Sequence, residues 1–383
     1  IFVALPMIRG LLKITPFLLR SKTNTPLHPT IRFMSSQKAF SNDPSEVKGK
    51  IAHAFNEISE GYATNIHNSE KPPMEKIYRM ASEMCASVVL RRCEGGSGAL
   101  QPCKQRATHG VNGQAAKFCK DHFDSSDPSI VDIIGAEVPK ILDIASGSGE
   151  PAITIAKRFP GSKVFATDNS EGMVNQLNKR LDAIKNECDI SNVIPMLVDA
   201  ENLADFENSS MDAITCTFGL MFLENWQTAL KEFYRVLKPN GIIFISIWGP
   251  SSELNFFETI DFIGKTMEPG MKPLIKPDAM GSDNPPGITI VETIESIGFC
   301  EVQHSFTNVE FLAKSIEDSW VKYVTSSPFK LLLQKLKHKG QTNAEEVAFE
   351  LYTSFITQKG WVASDGSMSF PENKAVIISA RKM

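Results

Sequence analysis

The chain has 383 residues, 42% of them hydrophobic and 22% charged, which is a globular composition long enough for one large domain with additions or for two. Its 40 Lys+Arg stand against 44 Asp+Glu; six of those cations fall in the first 42 residues, so the remainder balances 34 against 44 and does not suit a protein that grips nucleic acid. No run of 18 uninterrupted apolar residues occurs, which argues against a spanning helix, and an odd count of seven cysteines fits a reducing compartment better than a disulfide framework.

Residues 1–42 carry Arg9, Lys13, Arg20, Lys22, Arg32 and Lys38, several Ser and Thr, and no acidic residue before Asp43. That is the composition of a transit peptide, and Arg32-Phe-Met-Ser-Ser resembles a mitochondrial processing site. A mitochondrial location is therefore expected, with plastid or cytoplasm as alternatives if the segment is a plain basic tail. In the N-terminal region, residues 43–136, apolar residues then recur at helical spacing (Ile51, Ala54, Phe55, Ile58, Tyr62; then Ile77, Met80, Met84, Val88), which predicts two helices.

That pattern stops in a small turn-rich insert at residues 93–122. Here Cys93, Cys103, Cys119 and His122 offer three thiolates and an imidazole, the donor set of a tetrahedral structural zinc site, and the ending Phe118-Cys-Lys-Asp-His122 resembles small zinc-binding modules. An insert with so little apolar mass needs such a staple.

A regular alternation follows in residues 137–250. Strands are expected at Ile141-Leu142-Asp143, Lys163–Thr167, Val193–Val198, Met211–Thr217 and Gly241–Trp248, and helices at Pro151–Phe159, Gly172–Lys185 and Asn225–Leu237, the last stopped by a Pro239-Asn240-Gly241 turn. Strands alternating with helices imply a parallel sheet. Residues 251–383 read as a Pro- and Gly-rich loop, a helix at Thr289–Ile297, a strand at Cys300–Phe306, helical segments from Ser315 to Gly360 that could form a lid on the acceptor side, and a last strand at Ala375–Arg381.

The loop Gly147-Ser-Gly149-Glu-Pro-Ala152 follows a strand and opens a helix, so it also fits the G-x-G-x-x-A fingerprint of dinucleotide sites. Asp143 argues against that use, because a carboxylate at the strand end repels a pyrophosphate, whereas it favours the ammonium and sulfonium of S-adenosylmethionine. With Leu-Asp143-Ile-Ala-Ser-Gly-Ser-Gly, Phe-Ala-Thr-Asp168, Val198-Asp199-Ala200, Met211-Asp212-Ala and Phe233-Tyr-Arg-Val-Leu-Lys-Pro-Asn-Gly241 in order, residues from about 141 to 248 resemble the class I S-adenosylmethionine-dependent methyltransferases, and among them the small-molecule group that includes the ubiquinone and menaquinone biosynthesis enzymes.

The resemblance implies a doubly wound, Rossmann-like α/β sheet, mostly parallel with the last strand antiparallel. It places Asp143 near the methionine end of the cofactor, lines the cofactor with Ala145, Ser146, Gly147 and Gly149, and puts Asp168 with Asn169 at the ribose. Asp199 and Ala200 fall at the adenine and Phe218 near the reacting end, and Tyr62, in a segment similar to the one preceding the family's core, would close over the cofactor. Ala145 stands where Gly is commoner in the family.

The expected activity is methyl transfer to a small-molecule acceptor by in-line displacement, driven by alignment and water exclusion, with no general base assigned among His53, His67 and His304. Two rivals stay open: a nicotinamide-dependent oxidoreductase using the same loop, and a non-catalytic or protein-directed methyltransferase-like assembly factor. Asp283-Asn-Pro-Pro286 mimics a motif of amino-methylating nucleic-acid enzymes, but it lies far from the fourth strand and reads as a loop.

Overall fold

The structure, a computed structural model, describes residues 44–67, 72–93, 137–186, 190–270 and 287–383. The expected transit segment, the zinc-like insert beyond Cys93 and the Asp283-Asn-Pro-Pro286 loop lie outside the described residues, as does the side chain of Cys93.

Seven strands form one sheet in the order β3-β2-β1-β4-β5-β9-β6. They are β1 (Lys140–Ile144), β2 (Lys163–Asp168), β3 (Val193–Leu197), β4 (Met211–Thr217), β5 (Leu237–Trp248), β6 (Phe299–Asn308) and β9 (Lys374–Lys382). The first five run parallel, and β9 is antiparallel to both its neighbours β5 and β6. The fold class read from the sequence is therefore present, with the antiparallel last strand placed one position inside the edge. β4 is buried along its whole length, as a strand covered on both faces must be, while the edge strand β6 alternates between covered and open positions.

Helices α3 (Ala152–Arg158) and α4 (Glu171–Ile184) connect β1 to β2 and β2 to β3. The chain then crosses to the other side of β1 to begin β4, which makes the β1/β4 boundary a topological switch point, the place where open α/β sheets bind ligands at their strand ends. Helix α5 (Trp226–Val236) buries Ala229, Leu230, Phe233 and Val236 on one stripe. Each large side chain buried in this way contributes about 1.5–3 kcal/mol. The two N-terminal helices are α1 (Pro44–Tyr62), which runs on into a π-helical turn at Ala63–His67, and α2 (Glu75–Cys93).

Two expectations need correction, and one small element was not expected. The segment after Trp248 is not only a loop: α6 spans Asn255–Met267, and its buried Phe256, Ile260 and Ile263 carry the helical spacing that the flanking Pro and Gly residues mask. The Pro239-Asn240-Gly241 turn does not separate helix from strand. The helix ends at Val236 and β5 begins at Leu237, with Asn240 at φ 63 inside a register irregularity between Met211 and Ala213. A small two-stranded ribbon, β7 (Phe311–Ala313) with β8 (Met368–Phe370), was not foreseen, three-residue strands being too short for a periodic signal. After α7 (Ile288–Ile297), the insertion before β9 consists of α8 (Ile316–Ser319), a π turn at Trp320–Val324, α9 (Phe329–His338) and α10 (Ala344–Lys359).

Candidate functional site

At the end of β1 the chain turns sharply, with Ala145 at φ 53 and Gly147 at φ 55. Three buried bonds set that turn. Asp143 Oδ1 accepts from Thr215 Oγ1 at 2.6 Å, its Oδ2 accepts from the Ala152 N–H at 3.2 Å, and Ser146 Oγ donates to the Asp143 carbonyl at 3.0 Å. Asp143 is fully buried, and burial pushes its carboxyl up to about 7 against the hydrogen bonds that favour the charged form. Its side chain fastens β1 to β4 and to the start of α3. From behind, Arg180 donates to the Ser148 carbonyl at 2.6 Å and pairs with Glu150.

Gly149 serves packing. At φ 115 any other residue is strained, and an added Cβ would lie 2.6 Å from Leu177 Cδ1 and 2.9 Å from Ile153 Cδ1, so the side-chain tips between α3 and α4 would have to shift.

Asp168, at the end of β2, accepts from the Gly147 N–H at 2.9 Å through Oδ2 and from the Ser170 N–H at 2.9 Å through Oδ1. Burial raises its carboxyl to about 6. It lines a cavity of about 200 Å³ together with Ala145, Gly147, Asn169, Phe218 and Tyr62. Burial, and then the negative charge of Asp168, push the Tyr62 hydroxyl up to about 12, so the phenol stays protonated.

Of the residues expected at the site, these six are brought together. Asp143, Ser146 and Gly149 lie behind the loop and hold its shape. Asp199 and Ala200, in the turn after β3, do not line the cavity: Asp199 Oδ1 accepts from the Glu201 N–H at 2.9 Å, and Ala200 is buried in the core.

The same cavity includes an aromatic chamber around Phe218 that the sequence reading missed. Phe218, at φ 55 directly after β4, stacks on Trp248 with ring centroids 4.1 Å apart. Trp248 meets Phe257 edge to face at 5.3 Å, and Phe256 stacks on Phe311 at 4.9 Å. These rings, with Tyr323, form the wall, and Ser326 and Ser327 lie at its margin. A usable signal existed in Trp248, the last residue of a central parallel strand, where open α/β sheets place ligands. The partner rings come from α6 and β7, elements that the sequence did not disclose. Among the described residues lining the cavity, Asp168 is the one charged side chain.

This set fits S-adenosylmethionine: a carboxylate for ribose hydroxyls, a glycine backbone for close approach, and aromatic faces for a sulfonium cation. Among the described residues, no group of three metal-binding side chains occurs and no helix is long and apolar enough to cross a membrane.

Comparison with known proteins agrees. Residues 142–245 match the family described as "Methyltransferase domain". A demethylmenaquinone methyltransferase of Lactococcus lactis is 29% identical over 43% of this chain and 67% of its own length. The ubiquinone/menaquinone biosynthesis C-methyltransferase UbiE of Hydrogenovibrio crunogenus is 33% identical over 36% of this chain and 53% of its own. The chain thus spans about half to two thirds of the relatives it matches. The crystal structure of YcgJ from Bacillus subtilis superposes with a TM-score of 0.40, at 18% identity over 64% of this chain and 92% of that one. From strand order, loop and family match together, residues 142–245 are a methyltransferase domain of the S-adenosylmethionine-dependent class I type.

Proposed function

We propose that the chain transfers a methyl group from S-adenosylmethionine to a small, flat, largely apolar acceptor, of the kind a quinol ring presents. The observation that carries this reading is one continuous cavity lined by Asp168 and Gly147 and by the stacked Phe218 and Trp248. S-adenosylmethionine would supply an electrophilic methyl on positively charged sulfur; the acceptor's electron pair forms the new bond, the carbon–sulfur pair stays with sulfur, and the acceptor's proton passes to solvent.

The protein's part is alignment. Asp168 would accept from ribose hydroxyls, the Gly147 backbone would lie against the amino-acid portion, and the aromatic wall would exclude water from the line of transfer. A charged acceptor would be poorly received, since the described residues of the chamber offer it no counter-ion beyond Asp168 and its desolvation would go uncompensated. The names of the relatives support a quinol-type acceptor. The test is methylation by the purified chain with labelled S-adenosylmethionine against a panel of reduced quinones, phenols, amines and carboxylates. Turnover confined to charged acceptors, or absent with every class, refutes the reading.

A further inference from the structure

Helix α1 is joined to the turn after β2 through the side chain of Asn56. Asn56 Oδ1 accepts from Ser170 Oγ at 2.7 Å and from the Gly172 N–H at 2.8 Å. Both donors belong to the turn that opens α4. Ser170 caps that helix, accepting from the Met173 N–H at 3.1 Å, and its own N–H donates to Asp168 Oδ1 at 2.9 Å. Since Asp168 Oδ2 accepts from Gly147 N–H, an unbroken chain of hydrogen bonds runs from α1 through the ribose carboxylate to the glycine loop.

The approach of the two helices is close enough to require glycine: a Cβ on Gly172 would lie 2.9 Å from Asn56 Cα and 2.9 Å from Ser59 Oγ. The same helix carries Phe55 and Tyr62 to the cavity. Ile58, Ser59 and Ala63 are buried, so α1 has an anchorage that does not depend on the exposed Asn56.

We propose that Asn56 is a positioning residue for the methyl donor: it fixes the Ser170 turn, and through it the Asp168 carboxylate, and so makes cofactor affinity depend on α1 being seated. This rests on the reading of the cavity as an S-adenosylmethionine site. Leucine at 56 keeps the size, suits a helix better than asparagine, and abolishes the acceptor; aspartate retains an acceptor for both donors.

In calorimetric titrations of the full chain, Asn56→Leu should weaken S-adenosylmethionine binding by about three- to tenfold. Asn56→Asp should stay close to wild type. KM for S-adenosylmethionine should rise in Asn56→Leu with kcat nearly unchanged. A second measurement needs no variant: hydrogen exchange on the wild-type chain should slow in Phe55–Tyr62 when S-adenosylmethionine is added. Wild-type affinity in a folded Asn56→Leu protein, equal losses in the Leu and Asp variants, or exchange in α1 indifferent to the cofactor each overturn the proposal. A wild-type chain that binds no S-adenosylmethionine overturns the reading of the site as well.

Discussion

Replacing Asp168 by Ala tests the site at its most informative atom pair. In the structure each carboxylate oxygen accepts one backbone N–H, from Gly147 and from Ser170, both at 2.9 Å, and the side chain borders the cavity. A hydrogen bond to a charged group is worth about 1.5–3 kcal/mol, so losing the ribose acceptor should raise Kd for S-adenosylmethionine by about 10- to 200-fold. The N–H groups of the buried Ser170 and the half-buried Gly147 lose their acceptor, which lowers stability by about 1–3 kcal/mol, less where water replaces the carboxylate. The pH dependence sharpens the test. Burial holds the free carboxyl at about 6, and hydroxyl donors favour the ionised form, so wild-type affinity should fall more steeply than the variant's as pH drops below about 6, the variant keeping only the dependence that the Asp143 carboxyl, at about 7, imposes. Calorimetry at pH 5 to 8, with thermal melting to confirm the fold, reads both effects. A folded Asp168→Ala protein with wild-type Kd at pH 7.5 refutes the assignment of this carboxylate to the ribose.

Asp143 has a folded pKa of about 7, above the unfolded value near 3.9, so the native state binds the extra proton and stability falls as pH rises from about 4 to about 7; Asp143→Asn should flatten that decline in melting temperature, and an unchanged slope would contradict it. Gly149→Ala places a Cβ 2.6 Å from Leu177 Cδ1 at φ 115 and should destabilise by about 1–3 kcal/mol in denaturant titration; a loss below about 0.5 kcal/mol would mean the α3–α4 contact is looser than described. The insert with Cys93, Cys103, Cys119 and His122 should bind about one zinc per chain by elemental analysis, released by chelation or by Cys119→Ser without unfolding the sheet. Zinc-replete protein with no metal removes that proposal and leaves the methyltransferase reading intact.

The sheet was legible because its signals are local and repeated. Met211–Thr217 is an apolar run buried throughout and followed by a turn and the amphipathic helix α5, a pattern that composition and periodicity mark without tertiary information. The glycine loop and Asp168 were legible because spacing from a strand end fixes where a side chain emerges. The aromatic chamber was not, since Phe311 is far in sequence from Trp248 and Phe256, and the three rings meet only when α6 and β7 fold over the strand ends. Asn56 escaped for a related reason. Its role depends on a partner 114 residues away, and an exposed asparagine in a helix carries no pattern of its own.

Asp143 shows how spacing can identify a residue and leave its job open. The sequence places a carboxylate at the strand end and the resemblance assigns it to the methionine end, yet the side chain is turned inward and spends both oxygens on Thr215 and Ala152. Its influence on a ligand is then electrostatic, acting through the loop it shapes. When ionised, which its pKa of about 7 confines to neutral pH and above, Asp143 sets a negative charge at the first N–H of α3 and offsets the positive end of that helix, which is what a dinucleotide site would present to a pyrophosphate. The same charge favours a ligand carrying ammonium and sulfonium groups. The loop geometry alone is therefore shared between the two ligand classes, and the buried carboxylate beneath it is the feature that separates them.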